Sequence, residues 1–165
     1  VLDWKDILSE KGAWDAMFWM GGLVALATAL AKSGFIAWIA KLIGTAVAAA
    51  NMGWIASFVL ISLIYIYSHY CFASVTARIS AMYAAFVAVA AACGVPAMLV
   101  AITFGCFANL PISLTHYGNG CGPVYFGAGY VSQGEWWRNG FIITTINVVI
   151  WLTIGMAWWK FIGLY

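Results

Sequence analysis

Residues 79–134 contain no Asp, Glu, Lys or Arg, and neither do residues 42–77. Stretches of that length cannot form the surface of a water-soluble domain, in which roughly a quarter of all residues are charged. Here only 7% of the 165 residues are charged and 65% are hydrophobic, with a mean hydropathy of +0.98. The fold class is therefore an all-α integral membrane protein, because helices satisfy every backbone hydrogen bond internally where no water is available. The net charge of +2 is scattered along the chain, which excludes a nucleic-acid footprint and leaves the lipid bilayer as the first partner.

The remaining charges mark the bilayer boundaries. Asp3, Lys5, Asp6, Glu10 and Lys11 fall in residues 1–13, which read as interfacial. A spanning helix needs about 20 apolar residues, so 14–32 and 139–161 are each expected to cross once. Trp136, Trp137, Trp158 and Trp159 serve as interfacial anchors of the second crossing. Residues 35–50 place Phe35, Trp38, Ile39 and Leu42 on one face and Lys41 on another, the pattern of a helix lying in the interface. Residues 53–93 are apolar to Tyr67, polar from Ser68 to Arg78 and apolar again to Ala92. Two apolar arms meeting at a polar tip describe a re-entrant hairpin; two full spans joined near Arg78 are the alternative.

All three prolines, Pro96, Pro111 and Pro123, fall in or at the start of residues 96–133. Pro96 suits the start of a helix, which should stop at Asn109-Leu110-Pro111. Ser113-Leu114-Thr115-His116-Tyr117-Gly118-Asn119-Gly120 follows, in a segment too rich in Gly and Pro for a lipid-facing helix. Irregular backbone at membrane depth survives only when protein or a water-filled cavity covers it, so 96–133 is expected to be one discontinuous crossing. A polar tip and a broken helix together are the sign of a secondary transporter's binding site, with free N–H groups for anions and free carbonyls for cations. Ser74, Thr76, Ser113 and Thr115 add hydroxyls. One hydroxyl alone usually bonds its own i−4 carbonyl; four grouped at two breaks point to a ligand.

Other polar groups invite plainer readings. Cys71, Cys93, Cys106 and Cys121 lack ligand spacing and read as small buried hydrophobes. His69 reads as an interfacial residue with its hydrogen bonds met, and Gly21-Gly22 as a place for close helix packing. Two histidines far apart, with no carboxylate pair, argue against an enzyme and against a haem or metal-binding redox subunit. An accessory membrane subunit is the blander alternative.

Several segments then resemble one family in order along essentially the whole chain. They are Gly12-Ala13-Trp14 with Trp19-Met20-Gly21-Gly22-Leu23, the tip Phe72-Ala73-Ser74-Val75-Thr76-Ala77, the loop Ser113 to Gly120, and Tyr125-Phe126-Gly127-Ala128-Gly129-Tyr130 leading to Gln133-Gly134-Glu135-Trp136-Trp137. They resemble the divalent anion:sodium symporter family, in particular its branch of citrate/succinate and tartrate/succinate antiporters and 2-oxoglutarate/malate translocators. The resemblance covers the family's C-terminal half. It implies one of two inverted repeats, with an N-terminal half as partner, an elevator-type mechanism and a homodimer. The implied location is a multi-pass protein of the cell inner (plasma) membrane, or an organelle envelope in a plant-like setting. The opening Val in place of Met and the lack of a signal peptide also suggest part of a longer protein.

The resemblance further implies a di- or tricarboxylate substrate (malate, succinate, 2-oxoglutarate, citrate or tartrate) held by Ser74, Val75, Thr76, Ser113, Thr115, His116, Gly118 and Asn119. Sodium, where used, would sit near Ala73, Thr76, Leu114 and Thr115; no other cofactor is implied. The tip Ser74-Val75-Thr76 has Val where the family carries Asn. Arg78, two residues on, is a permanent cation, and an ionisable group at membrane depth is functional by default. Arg78, joined by His116 if protonated, would thus replace sodium's charge and make the protein an exchanger; sodium-coupled symport is the alternative. Orientation follows the family: Lys5, Lys11 and Arg138 oppose Lys32, Lys41 and Lys160, and the first group is expected in the cytoplasm.

Overall fold

The computed structural model describes residues 3–9 and 11–165. Val1, Leu2 and Glu10, part of the expected interfacial segment 1–13, lie outside the described residues. Among the described residues all regular structure is helical. The elements are α1 (Trp4–Ser9), α2 (Lys11–Lys32), α3 (Phe35–Ala49), α4 (Trp54–Tyr67), α5 (Val75–Ala92), α6 (Ala97–Cys106), α7 (Gly122–Gly127), α8 (Gln133–Ile150) and α9 (Met156–Phe161). Short 3₁₀ turns occupy Ser68–Cys71 and Leu110–Ser113, and one wide π turn, Trp151–Gly155, joins α8 to α9.

Local chemistry sets the helix ends. Gly34 and Gly94 take φ of +76° and +82° where α2 and α5 stop, a left-handed conformation in which a side chain would be strained. Ser74 caps α5 by accepting from the Ala77 N–H at 3.4 Å. Pro96 opens α6, as its missing N–H allows. At α8, Ser132 and Glu135 form a reciprocal capping box: the Ser132 N–H donates to Glu135 Oε2 at 2.9 Å and the Glu135 N–H to Ser132 Oγ at 3.4 Å.

Three described helical runs are long and apolar enough to cross a membrane: Trp54–Cys71, Val75–Ala92 and Gln133–Phe161. The last coincides with the expected crossing at 139–161, while α2 and α3 cover the segments 14–32 and 35–50. α5 is the hub, packed against α2, α3, α4 and α6. Without a hydrophobic drive between helices in lipid, such packing depends on close approach of small residues. The alanines of α5 supply it, and a Cβ at Gly44 of α3 would lie only 3.1 Å from Val89 Cγ1. Phe58, Ile61, Ile66, Phe86, Leu99, Val100, Phe104 and Phe107 form the fully buried centre. Ile142, Ile143, Ile146, Val149 and Ile150 leave an apolar outer face on α8. All four cysteines are free; Cys71 and Cys121 are exposed and Cys93 and Cys106 half-buried. That corrects the expectation of burial: Cys71 and Cys121 lie in turns, not in packed helices.

Candidate functional site

The tip between α4 and α5 and the irregular loop between α6 and α7 meet. The Tyr117 hydroxyl donates to the Tyr70 carbonyl at 3.0 Å. His69 Nε2 touches the position a Cβ on Gly118 would occupy, and Thr115 Oγ1 lies 3.0 Å from the same point. Gly118 is thus where loop backbone and tip imidazole come into contact, and no larger residue fits there. The loop is also fixed to α8: Ser113 Oγ shares a hydrogen bond with Thr144 Oγ1 at 3.2 Å, and the Ser113 carbonyl packs where Gly140 lacks a side chain.

The residues singled out by sequence divide into three groups. Thr115 and Leu114 are fully buried, and Thr115 Oγ1 has no hydrogen-bond partner. Ala73, Ser74 and Val75 are half-buried and Thr76 is exposed on the tip. The Ser113 and Asn119 side chains already have protein partners: Asn119 Oδ1 accepts from the Cys121 and Gly122 N–H groups at 2.8 and 2.7 Å, bending the loop into α7. His116 is half-buried, stacked on Phe126 with ring centres 4.3 Å apart, and its Nδ1 accepts from Trp137 Nε1 at 3.3 Å.

Arg78 is fully buried. Its Nη1 donates to the Tyr65 carbonyl at 3.0 Å, and its Nη2 to the Ala108 and Phe107 carbonyls at 2.7 and 3.3 Å. The guanidinium carbon stands 4.6 Å from the centre of the Tyr65 ring, which is itself stacked on Phe104. Tyr65 belongs to the last turn of α4, and Phe107 and Ala108 follow α6, so the cation rests against carbonyls at two helix C-termini. Carbonyls at a helix C-terminus carry the negative end of the helix dipole, and that of Tyr65 also accepts from the Ser68 hydroxyl at 2.7 Å.

His69 departs from its sequence reading. It is fully buried and neither ring nitrogen has a hydrogen-bond partner, so it is not an interfacial residue with its bonds met. The signal available in sequence was its place in the polar tip segment, ahead of Ser74. Among the described residues no three His, Cys, Asp or Glu side chains come together where a metal could sit. A groove of about 470 Å³ between α3 and α5, lined chiefly by alanines with Lys41, Thr45 and Cys93, shares no residue with the tip or the loop.

The model of the sodium:sulfate symporter transmembrane region matches residues 1–165. The chain belongs to that family. This is the divalent anion:sodium symporter family that the tip and loop residues resemble. Dicarboxylate transporter 1, chloroplastic, of Spinacia oleracea is 45% identical over the whole chain, which covers 29% of that protein. The putative malate transporter YflS of Bacillus subtilis (strain 168) is 46% identical over the whole chain, covering 34% of it. Inner membrane protein YbhI of Escherichia coli (strain K12) is 35% identical over 97% of the chain and 33% of its own length. The chain thus spans about a third of the length of these relatives. The family is one of membrane transporters, and three described helical runs of the chain are long and apolar enough to cross a membrane.

Proposed function

We propose that the chain is the C-terminal repeat of an elevator-type exchanger of di- and tricarboxylates, in which 53–93 is a re-entrant hairpin and 96–133 a discontinuous crossing. The observation that carries this reading is the pairing of tip and loop through Tyr117 and Tyr70, in a region, residues 42–134, that has no acidic residue. Hydroxyls and glycine-loop amides without carboxylates suit an anion. Relatives named for dicarboxylate and malate transport, similar over the entire chain, narrow it to carboxylates.

In this reading Ser74, Val75 and Thr76 at the tip and Thr115, His116 and Gly118 in the loop face the substrate, while Ser113 and Asn119 shape the loop through the bonds they already make. Arg78 supplies positive charge from behind the tip. A doubly charged anion crosses a low-dielectric barrier more easily when positive charge moves with it. An empty site would move that cation without the substrate's counter-charge, so exchange outruns net uptake. A homodimer and an N-terminal repeat complete the assembly, in a bacterial inner membrane or a plastid envelope.

Sodium-coupled symport, with Na⁺ near Ala73, Thr76, Leu114 and Thr115, is the second reading, favoured by the family's own description. The test of both is uptake of labelled malate, succinate, 2-oxoglutarate, citrate or tartrate by the intact transporter in liposomes. Exchange should require a counter-carboxylate inside and persist when choline replaces Na⁺. Loss in choline establishes symport, and no exchange of any of the five overturns the substrate class.

A further inference from the structure

We infer that the His69 imidazole and the Thr115 hydroxyl form one buried subsite that takes the hydroxyl group of a hydroxylated dicarboxylate and so sets a preference for malate over succinate. The inference rests on the reading that tip and loop together hold a carboxylate substrate. It adds His69 to the residues that face the substrate and gives Thr115 a defined part of it to read.

His69 lies in the 3₁₀ turn Ser68–Cys71 after α4, and Thr115 lies in the loop just beyond the turn Leu110–Ser113, so the two approach from opposite sides of the tip–loop contact. Both side chains are fully buried, and neither His69 Nε2 nor Thr115 Oγ1 has a hydrogen-bond partner. Buried polar groups are almost always paired, because an unpaired one carries its full desolvation penalty. Two that converge from separate segments point to a shared ligand. They converge at Gly118, where a Cβ would touch His69 Nε2 and stand 3.0 Å from Thr115 Oγ1. Atoms this close to a common point can share one oxygen, which with two hydrogen bonds of about 2.8 Å spans as much as about 5.5 Å. Beside them the Tyr117 hydroxyl holds the loop to the tip through the Tyr70 carbonyl, at 3.0 Å.

The chemistry of the pair selects an alcohol. An imidazole nitrogen is a donor or an acceptor according to where its proton sits, and a threonine hydroxyl can be either. An alcohol matches every combination, because it donates one bond and accepts another. A carboxylate or a ketone only accepts, so neither answers a nitrogen that presents a lone pair. Burial points the same way: a carboxylate sealed there would need a cation in contact with it, whereas a hydroxyl is satisfied by the two bonds on offer. The carboxylates suit the half-buried front of the site, around Ser74 and His116. Malate, citrate and tartrate carry such a hydroxyl; succinate has none, and 2-oxoglutarate has a ketone.

The experiment uses the intact transporter in liposomes and measures KM for malate and for succinate, which differ only in that hydroxyl. The wild type should favour malate about tenfold, the effect of two modest hydrogen bonds. Thr115→Val keeps the shape and loses the oxygen, so the two KM values should converge; Thr115→Ser, which keeps a hydroxyl, should preserve most of the preference. His69→Leu should also bring the values together, while His69→Gln, with a polar group near the Nε2 position, should keep part of the difference. The wild type can be tested without any substitution by 2-methoxysuccinate, in which a methyl ether replaces the alcohol and which should exchange no better than succinate. Equal wild-type KM values for malate and succinate overturn the inference, as does 2-methoxysuccinate exchanging as well as malate. A preference that survives in either Thr115→Val or His69→Leu also overturns it, since the pair would then hold water and not substrate. No exchange of either dicarboxylate by the wild type overturns the carboxylate reading itself, a separable failure.

Discussion

Replacing Arg78 by Ala removes three hydrogen bonds from a charged donor and the contact with the Tyr65 ring. Bonds of this kind contribute about 1.5–3 kcal/mol each, and the cation's own desolvation offsets part of the sum. Breaking a buried charged interaction from one side typically costs about 3–5 kcal/mol. That is a large share of the roughly 5–15 kcal/mol that holds a folded protein together. The carbonyls of Tyr65, Phe107 and Ala108 would lose their shared donor, loosening the joint between the ends of α4 and α6. Thermal unfolding of the purified intact transporter, followed by labelling of newly exposed cysteines, should show a clear fall in midpoint for Arg78→Ala. Exchange should fall to near background. Arg78→Lys keeps the charge but cannot span carbonyls on both helix ends with one ammonium, so it should lose less stability and retain a fraction of transport. If Arg78→Ala unfolds within about 1 kcal/mol of the wild type and exchanges at near-normal rates, the cation neither pins the helix ends nor compensates the substrate.

Gly118→Ala would drive a methyl group into His69 Nε2 and leave it 3.0 Å from Thr115 Oγ1; transport should collapse, with partial recovery in the double variant carrying His69→Ala, and absence of any effect in a transport assay would refute the tip–loop contact. Gly140→Ala meets the Ser113 backbone carbonyl, which cannot turn aside; it should destabilise by more than about 2 kcal/mol, as read by the unfolding midpoint. Ser132→Ala removes the cap of α8 and should cost about 1 kcal/mol, read as a lower unfolding midpoint.

Much of the architecture is written in local pattern. Charge-free stretches, Gly34 and Gly94 at helix ends, and Pro96 and Pro111 around α6 act through their own backbone chemistry, so membrane class and the positions of tip and loop follow from sequence alone. So does the grouping of Ser74, Thr76, Ser113 and Thr115 at two breaks. Their partners do not. Ser113 finds Thr144 and Asn119 turns on its own loop, whereas Thr115 has no partner. Nothing in residue type or spacing distinguishes these cases.

The charge of the site divides the same way. Sequence establishes that Arg78 is a rare cation next to a polar tip, because a guanidinium stays ionised wherever it lies. Only the packing of α4, α5 and α6 brings it against carbonyls 13, 29 and 30 positions away. Only the docking of α8 on the loop places Trp137 beside His116, 21 positions earlier. A hydrogen bond needs its two atoms within about 3 Å of each other, and across such separations in the chain that distance is set by the tertiary fold.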